Sequence, residues 1–181
     1  AGWLASLGIT KLPAADPKKP LNLNFLGELW REFSWMKQDR DLWRANLGNT
    51  GFFFIAALLQ MNIVLYAEQV FHLGETENSA LQVALAVGMA VGSLLAGKLS
   101  GDHVEYGLIP LGAGLMAAMG FLLGVPDISR TWFTVSLTLL GVGGGLFIVP
   151  IAAVLQHRPP AERKGSVQGA ASWLSWIGIA G

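Results

Sequence analysis

The chain has 181 residues, 52% of them hydrophobic and only 13% charged, with a mean hydropathy of +0.49. Soluble domains carry about 25% charged residues, so an ordinary water-soluble domain is excluded. Twelve Lys+Arg against twelve Asp+Glu leave no basic excess of the kind nucleic acid requires, and the absence of Cys rules out a disulfide scaffold and thiolate metal sites.

Residues 1–10 open with AGWLASLGI, which reads as the end of a transmembrane helix. They lack the starting Met and basic flank of a secretory signal. Residues 11–44 form a polar connector that begins with Pro13, Pro17 and Pro20. An amphipathic helix is expected over 24–37, because Phe25, Leu26, Leu29, Trp30, Phe33 and Met36 recur at helical spacing. Glu28, Arg31, Glu32 and Lys37 fall mostly on the other side, and Asn22 or Asn24 is placed to cap the first turn. Such a helix lies in the membrane interface or packs against the rest of the protein.

Four uncharged runs follow, at 45–67, 78–97, 106–126 and 131–156. About 20 apolar residues suffice for a helix to cross ~30 Å of hydrocarbon, where each backbone polar group must be satisfied within its own segment. The expected fold class is therefore all-α, a polytopic helical membrane bundle. Its helices are expected at about 45–71, 79–98, 106–125 and 131–155, with the start of another from about 166.

Small residues recur at helix-contact spacing in these runs: Gly88, Gly92 and Ala96; Gly120 and Gly124; Gly141 and Gly145. Faces of this kind let helix backbones approach closely. Gly143, Gly144 and Gly145 together make their helix a pliable element suited to gating. Polar side chains within the spans are few. Thr134, Ser136 and Thr138 can bond their own helix backbone, whereas Gln60 and Asn62 point to a helix contact or a polar cavity.

Lys and Arg are sharply segregated. Segments 11–44, 98–105 and 157–164 hold eleven of the twelve, and the opposite loops, 68–79 and 127–130, hold only Arg130. The positive-inside rule assigns the first set to the cytoplasm. Counting acidic residues as well, the two sides carry +3 and −3. His72, His103 and His157 lie in separate loops without metal-spaced partners. No hydrolytic or redox constellation is present, so the expectation is a protein that is not an enzyme and has no metal and no cofactor.

The loop Gly97-Lys98-Leu99-Ser100-Gly101-Asp102-His103-Val104-Glu105 resembles the G-x-L-x-D-R-x-G-R signature of major facilitator superfamily transporters. Gly97 and Leu99 match, while the Asp-Arg pair and the later Arg do not. The longer pattern G-K-L-S-G-x-x-V-E-x-G-L-I-P-x-G at 97–112 is similar to the lysophospholipid transporter branch. So are Phe147-Ile148-Val149-Pro150, Leu155-Gln156, Gly165, the Trp-rich connector, and Leu42-Trp43. Ala152 and Ala153 depart from the Leu-Asn expected there.

The resemblance implies part of a major-facilitator-type helix bundle: the end of helix six, the connector, helices seven to ten and the beginning of eleven. The partners it implies are the lipid bilayer, a lysophospholipid substrate and the missing N-terminal half of the same transporter. The implied activity is inward flipping of a lysophosphatidylethanolamine-like lipid across the bacterial inner membrane by alternating access. Gln60 and Asn62 would bind the headgroup, Phe53 and Phe54 the acyl chain, and Lys98, Asp102 and Glu105 would form a gating latch. A proton-driven exporter of drugs or metabolites is the alternative within the superfamily. A non-transporting anchor for a fused acyltransferase or acyl-carrier-protein ligase is the alternative of another class.

Overall fold

A computed structural model describes residues 24–101 and 103–180. The expected helix end at 1–10, the Pro-rich opening of the connector, and Asp102 lie outside the described residues. These contain helices and turns and no strand: α1 (Phe25–Met36), α2 (Arg40–Gln69), α3 (Glu75–Ser100), α4 (Leu108–Leu123), α5 (Arg130–His157), a 3₁₀ turn (Ala161–Arg163) and α6 (Lys164–Ala180).

Local chemistry explains the helix starts. The Asn24 side chain accepts from Gly27 N at 3.0 Å and caps α1. One oxygen of Asp39 accepts from the amides of Asp41 and Leu42 at 3.1 and 3.2 Å, so α2 begins at Arg40, ahead of the uncharged run. Ser129 caps α5 through Trp132 N. The end of α3 is a glycine turn: Gly101, at φ 51° and ψ −124°, occupies a region strained for any side chain.

Three of the four expected full spans are long and apolar enough to cross a membrane: α2, α3 and α5. The fourth differs. Helix α4 has 16 residues, ~24 Å at ~1.5 Å per residue, because Tyr106 and Gly107 form a turn and the chain leaves the helix at Gly124. Pro126 then biases Val125 away from helical geometry. Uncharged sequence over 106–126 therefore overstated the helix.

Helix α5 is the centre of the bundle, packing most extensively on α3 and α4, while α2 packs on α6 and α5. Glycines set the closest approaches. A Cβ on Gly88 or Gly92 would collide with the backbone of Thr138 or Val142, and one on Gly141 or Gly145 with the backbone of α3. Gly112 of α4 faces Gly143 of α5 in the same way, where a Cβ would come within 2.6 Å of the Gly143 carbonyl oxygen. The expected pair Gly120 and Gly124 meets no other helix among the described residues. A Cβ on Gly120 meets nothing within 4 Å, and one on Gly124 meets only carbonyl oxygens of its own helix's last turn.

Two clusters complete the core. On the connector side, Leu29, Met36 and Leu42 pack with Ile151, Val154, Leu155, Val167 and Ala170. On the opposite side, Ile63 and Ala67 meet Leu81, Phe133 and Leu137. There Tyr66 stacks on Phe133 with ring centroids 4.9 Å apart, and Phe71 meets both rings edge-on. Helix α1 thus packs against the bundle through Leu29 and Met36, while Phe25, Leu26 and Trp30 remain exposed.

Candidate functional site

The in-span amides separate on inspection of their bonds. Gln60 Nε2 donates to Oε1 of Gln82 at 2.8 Å, joining α2 to α3. Asn62 Nδ2 donates to the Leu58 carbonyl at 2.8 Å, so its donor is absorbed by its own helix. One N–H of Asn62 is thus met within its own helix, since an amide side chain can bond back to residue i−4 as a hydroxyl does, and the residue itself is exposed. Thr134 and Thr138 bond back in this way, to Arg130 and Thr134 carbonyls. Ser136 does not, and its buried hydroxyl has no partner among the described residues.

Gln60 is exposed and Gln82 half-buried, although both lie within apolar spans. Their pairing satisfies one donor and one acceptor. What stays open is one N–H and the oxygen of Gln60, plus the NH₂ and a second lone pair on the oxygen of Gln82, so the pair can both donate and accept. Phe53 is exposed two turns earlier on the same face of α2 as Gln60, its ring edge-on to Phe52 with centroids 5.6 Å apart. Phe54 is also exposed and lies beside α6, where a Cβ on Gly178 would approach its own Cβ at 3.6 Å. The structure therefore brings Gln60 together with Gln82, a residue that sequence reading missed. The available signal was a second in-span amide seven residues into α3.

Lys98 and Glu105 are exposed, and neither makes an ion pair among the described residues. The ionic contacts on the connector side lie elsewhere. Arg158, just past α5, donates from Nε to Asp39 at 2.6 Å and forms an ion pair with Asp41, Nη2 to oxygen 3.1 Å. Asp39 thus caps α2 with one oxygen and holds Arg158 with the other. The Arg158 hydrogen bond, opposed by partial burial and aided by the amides of Leu42 and Asp41, holds the Asp39 carboxyl below its usual 3.8. Arg158 is raised in turn, with Asp39 the first cause and Tyr106 a further hydrogen-bond partner. Arg163 pairs with Glu32 at 3.4 Å and lies over the Trp35 ring, 4.9 Å from its centroid. The C-terminal part of α1 and the start of α2 are thereby tied to the α5–α6 turn.

The three consecutive glycines of α5 face three different neighbours. Gly143 abuts Gly112 and Met116 of α4, Gly144 faces the Phe52 ring of α2, and Gly145 abuts α3. Helix α5 runs unbroken through them.

Asn46 and Asn49 lie near the start of α2. Asn49 Nδ2 donates to Ser175 Oγ of α6 at 2.8 Å. Asn46 is fully buried, and neither end of its amide has a partner among the described residues. No group of three or more His, Asp or Glu able to hold a metal occurs among the described residues.

Comparison with known proteins accords with this architecture. The chain is 30% identical over 168 residues to "Lysophospholipid transporter LplT" of Klebsiella pneumoniae subsp. pneumoniae, covering 86% of this chain and 39% of that protein. It is equally similar, over the same shares, to the LplT of Enterobacter sp. (strain 638), and 29% identical over 164 residues to that of Escherichia coli O157:H7. The chain thus spans 39% of the length of the curated relatives it matches. No solved structure matches it significantly. The Major Facilitator Superfamily pattern matches residues 1–181, the whole chain. With its apolar spanning helices, this chain is a membrane protein that belongs to the major facilitator superfamily.

Proposed function

We propose that the chain is part of a transporter that flips a lysophospholipid, of the lysophosphatidylethanolamine type, across the bacterial inner membrane by alternating access. The observation that carries this reading is the Gln60–Gln82 pair, an amide couple joining two spans with Gln60 exposed and Gln82 half-buried. Polar groups at that depth are costly against hydrocarbon and mark a polar cavity instead. Its open N–H groups suit the phosphate oxygens of a headgroup, and exposed Phe53, with Phe54 beside it, supplies apolar surface for a single acyl chain. The relatives named as lysophospholipid transporters support the substrate class.

In this reading the connector and the α5–α6 turn face the cytoplasm, in line with eleven of twelve Lys+Arg on that side. Lys98 and Glu105, with Asp102, are available as a latch for charges elsewhere in the protein. The Arg158 contacts to Asp39 and Asp41 tie α2 to α5 at the same side. Gly143–Gly145 act in gating as the packing centre that holds α3 and α4 on α5 while α2 shifts past it.

The test is uptake of labelled lysophosphatidylethanolamine by vesicles containing the full-length protein. Gln60→Leu should reduce uptake at least tenfold, the loss of about 1.4 kcal/mol of hydrogen bonding, while the amount of folded protein stays unchanged. Uptake at the unmodified rate would remove Gln60 from the site. Uptake of drugs or metabolites, with none of lysolipid, would favour the exporter alternative.

A further inference from the structure

Helices α2 and α6 run in the same direction. Leu42 and Ala45 share a core cluster with Val167, Ala170 and Ala171. Asn49 bonds Ser175 further along, and Phe54 meets Gly178 beyond it. The polar groups of this seam are unevenly served. Ser175 Oγ accepts from Asn49 Nδ2 at 2.8 Å and donates to the Ala171 carbonyl at 3.0 Å. Asn46, one turn before Asn49, is fully buried, and its side-chain nitrogen and oxygen have no partner among the described residues. Its backbone carbonyl is taken by Thr50 Oγ1 at 2.9 Å.

Because both ends of the Asn46 amide are enclosed, nothing outside reaches them while the helices keep this arrangement. Leucine, branched in the same way, would fill the place without the desolvation cost of an unmet amide. The amide finds a partner only if α2 moves, and the spacing of the seam supplies the step. Asn46 and Asn49 are three residues apart on α2, as Ser175 and Gly178 are on α6. Three residues amount to ~4.5 Å of rise and ~60° of turn on either helix. Advancing α2 by that step toward its C-terminus carries Asn46 to Ser175. Asn49 then arrives at Gly178, which has no side chain to obstruct it. Packed helices interlock by rows of side chains at this spacing, and steps of about one turn are an established way for them to change register. The seam exchanges one amide–hydroxyl bond for its equal, while the single-point contacts Arg158–Asp39 and Gln60–Gln82 part.

We infer that Asn46 and Asn49 are the two stops of a register switch between α2 and α6, with Ser175 as their shared catch. The structure shows the Asn49 stop. In the other, Asn46 Nδ2 donates to Ser175 Oγ. The switch rests on the geometry of this seam and is independent of which molecule is transported.

The experiment is disulfide trapping in the full-length protein in membrane vesicles, with every other cysteine replaced. Phe54→Cys with Gly178→Cys reports the observed register, since their Cβ atoms would lie 3.6 Å apart, within disulfide range. Gly51→Cys with Gly178→Cys reports the advanced register, in which position 51 stands where 54 stood. A Cβ at 51 meets no atom within 4 Å, so that substitution brings no clash. Both pairs should oxidise, read as protection from a maleimide-linked polyethylene glycol. Asn46→Leu should slow oxidation of the Gly51 pair about tenfold, the loss of one buried hydrogen bond, and leave the Phe54 pair as fast or faster. Asn49→Leu should do the reverse. In each variant the pair that persists shows that the seam is folded. The proposal is overturned if the Gly51 pair does not oxidise, if the two substitutions shift the ratio of the pairs in the same direction, or if neither shifts it.

Discussion

Gly112 and Gly120 lie two turns apart on α4, yet the structure predicts opposite outcomes when each is changed to Ala. At Gly112 the added Cβ would lie 2.6 Å from the Gly143 oxygen and 2.7 Å from Phe147 N, against ordinary contact from 3.4 Å upward. The shortfall is about 0.8 Å, and the opposing atoms are backbone, so no rotamer change relieves it. Overpacking of this kind costs ~1–3 kcal/mol, here at the upper end because α4 must retreat from α5 as a body. Ala in place of a helical Gly returns ~1 kcal/mol, leaving Gly112→Ala less stable by ~1–2 kcal/mol. At Gly120 the Cβ meets nothing within 4 Å, so only the helix-propensity gain of up to ~1 kcal/mol remains. Denaturant unfolding of the detergent-solubilised protein, followed by Trp fluorescence, should separate the two variants by ~2–3 kcal/mol. If Gly112→Ala is as stable as the parent, or if both variants shift the same way, the backbone contact between α4 and α5 is not what holds them together.

Asp39→Asn should flatten the acid limb of the stability curve. Because Asp39 is held below its usual 3.8 by Arg158, its contribution is full above the unfolded-state value and is lost as pH falls through the lower folded-state value. With both groups about one-third exposed, that contribution is under ~1 kcal/mol, and an unchanged acid limb in the variant would discount the pair. Asn46→Leu should hold or raise stability by ~1–3 kcal/mol, because it removes a buried amide whose two ends have no partner among the described residues; a clear loss in thermal unfolding would reveal a partner elsewhere in the protein. Phe133→Ala, which removes the ring stacked on Tyr66 and met edge-on by Phe71, should cost ~3–5 kcal/mol. A cost below ~1 kcal/mol in the same assay would mean that this aromatic cluster contributes little.

The helical bundle was legible because exclusion of charge from a hydrocarbon-length run is a one-dimensional signal. The length of α4 was not, since its limits come from turn geometry at Gly107 and Gly124 rather than from polarity. Periodicity likewise marked Gly88, Gly92, Gly141 and Gly145 as a contact face, and they are one. The same spacing at Gly120 and Gly124 meets no other helix among the described residues, because a small-residue face becomes an interface only where another helix arrives. Gln60 was visible as a polar group at membrane depth, but its partner Gln82 depends on how α2 and α3 align. Asp39 and Arg158 are 119 positions apart. Asp39 could have been read as a helix cap, but nothing local to either residue announces their pairing.

Gly143, Gly144 and Gly145 show most clearly what three dimensions add. In sequence, adjacent glycines signal a weak, bendable helix. In the bundle, successive positions point ~100° apart, so the three face α4, α2 and α3 in turn, and two of them rest directly on backbone. Close backbone contact opposes axial sliding, because each carbonyl that fits beside a glycine would be driven toward the residues of the neighbouring turn, ~5.4 Å along the axis. The α3–α5 and α4–α5 interfaces are therefore the least able to slip. Helix α2 has few contacts with α3, and its polar bonds are confined to single points: Gln60 to Gln82, Asn49 to Ser175, and the Arg158 clamp. Any shift between these helices is taken up most readily where α2 and α6 meet the rest, since those seams break a few bonds rather than a whole backbone interface.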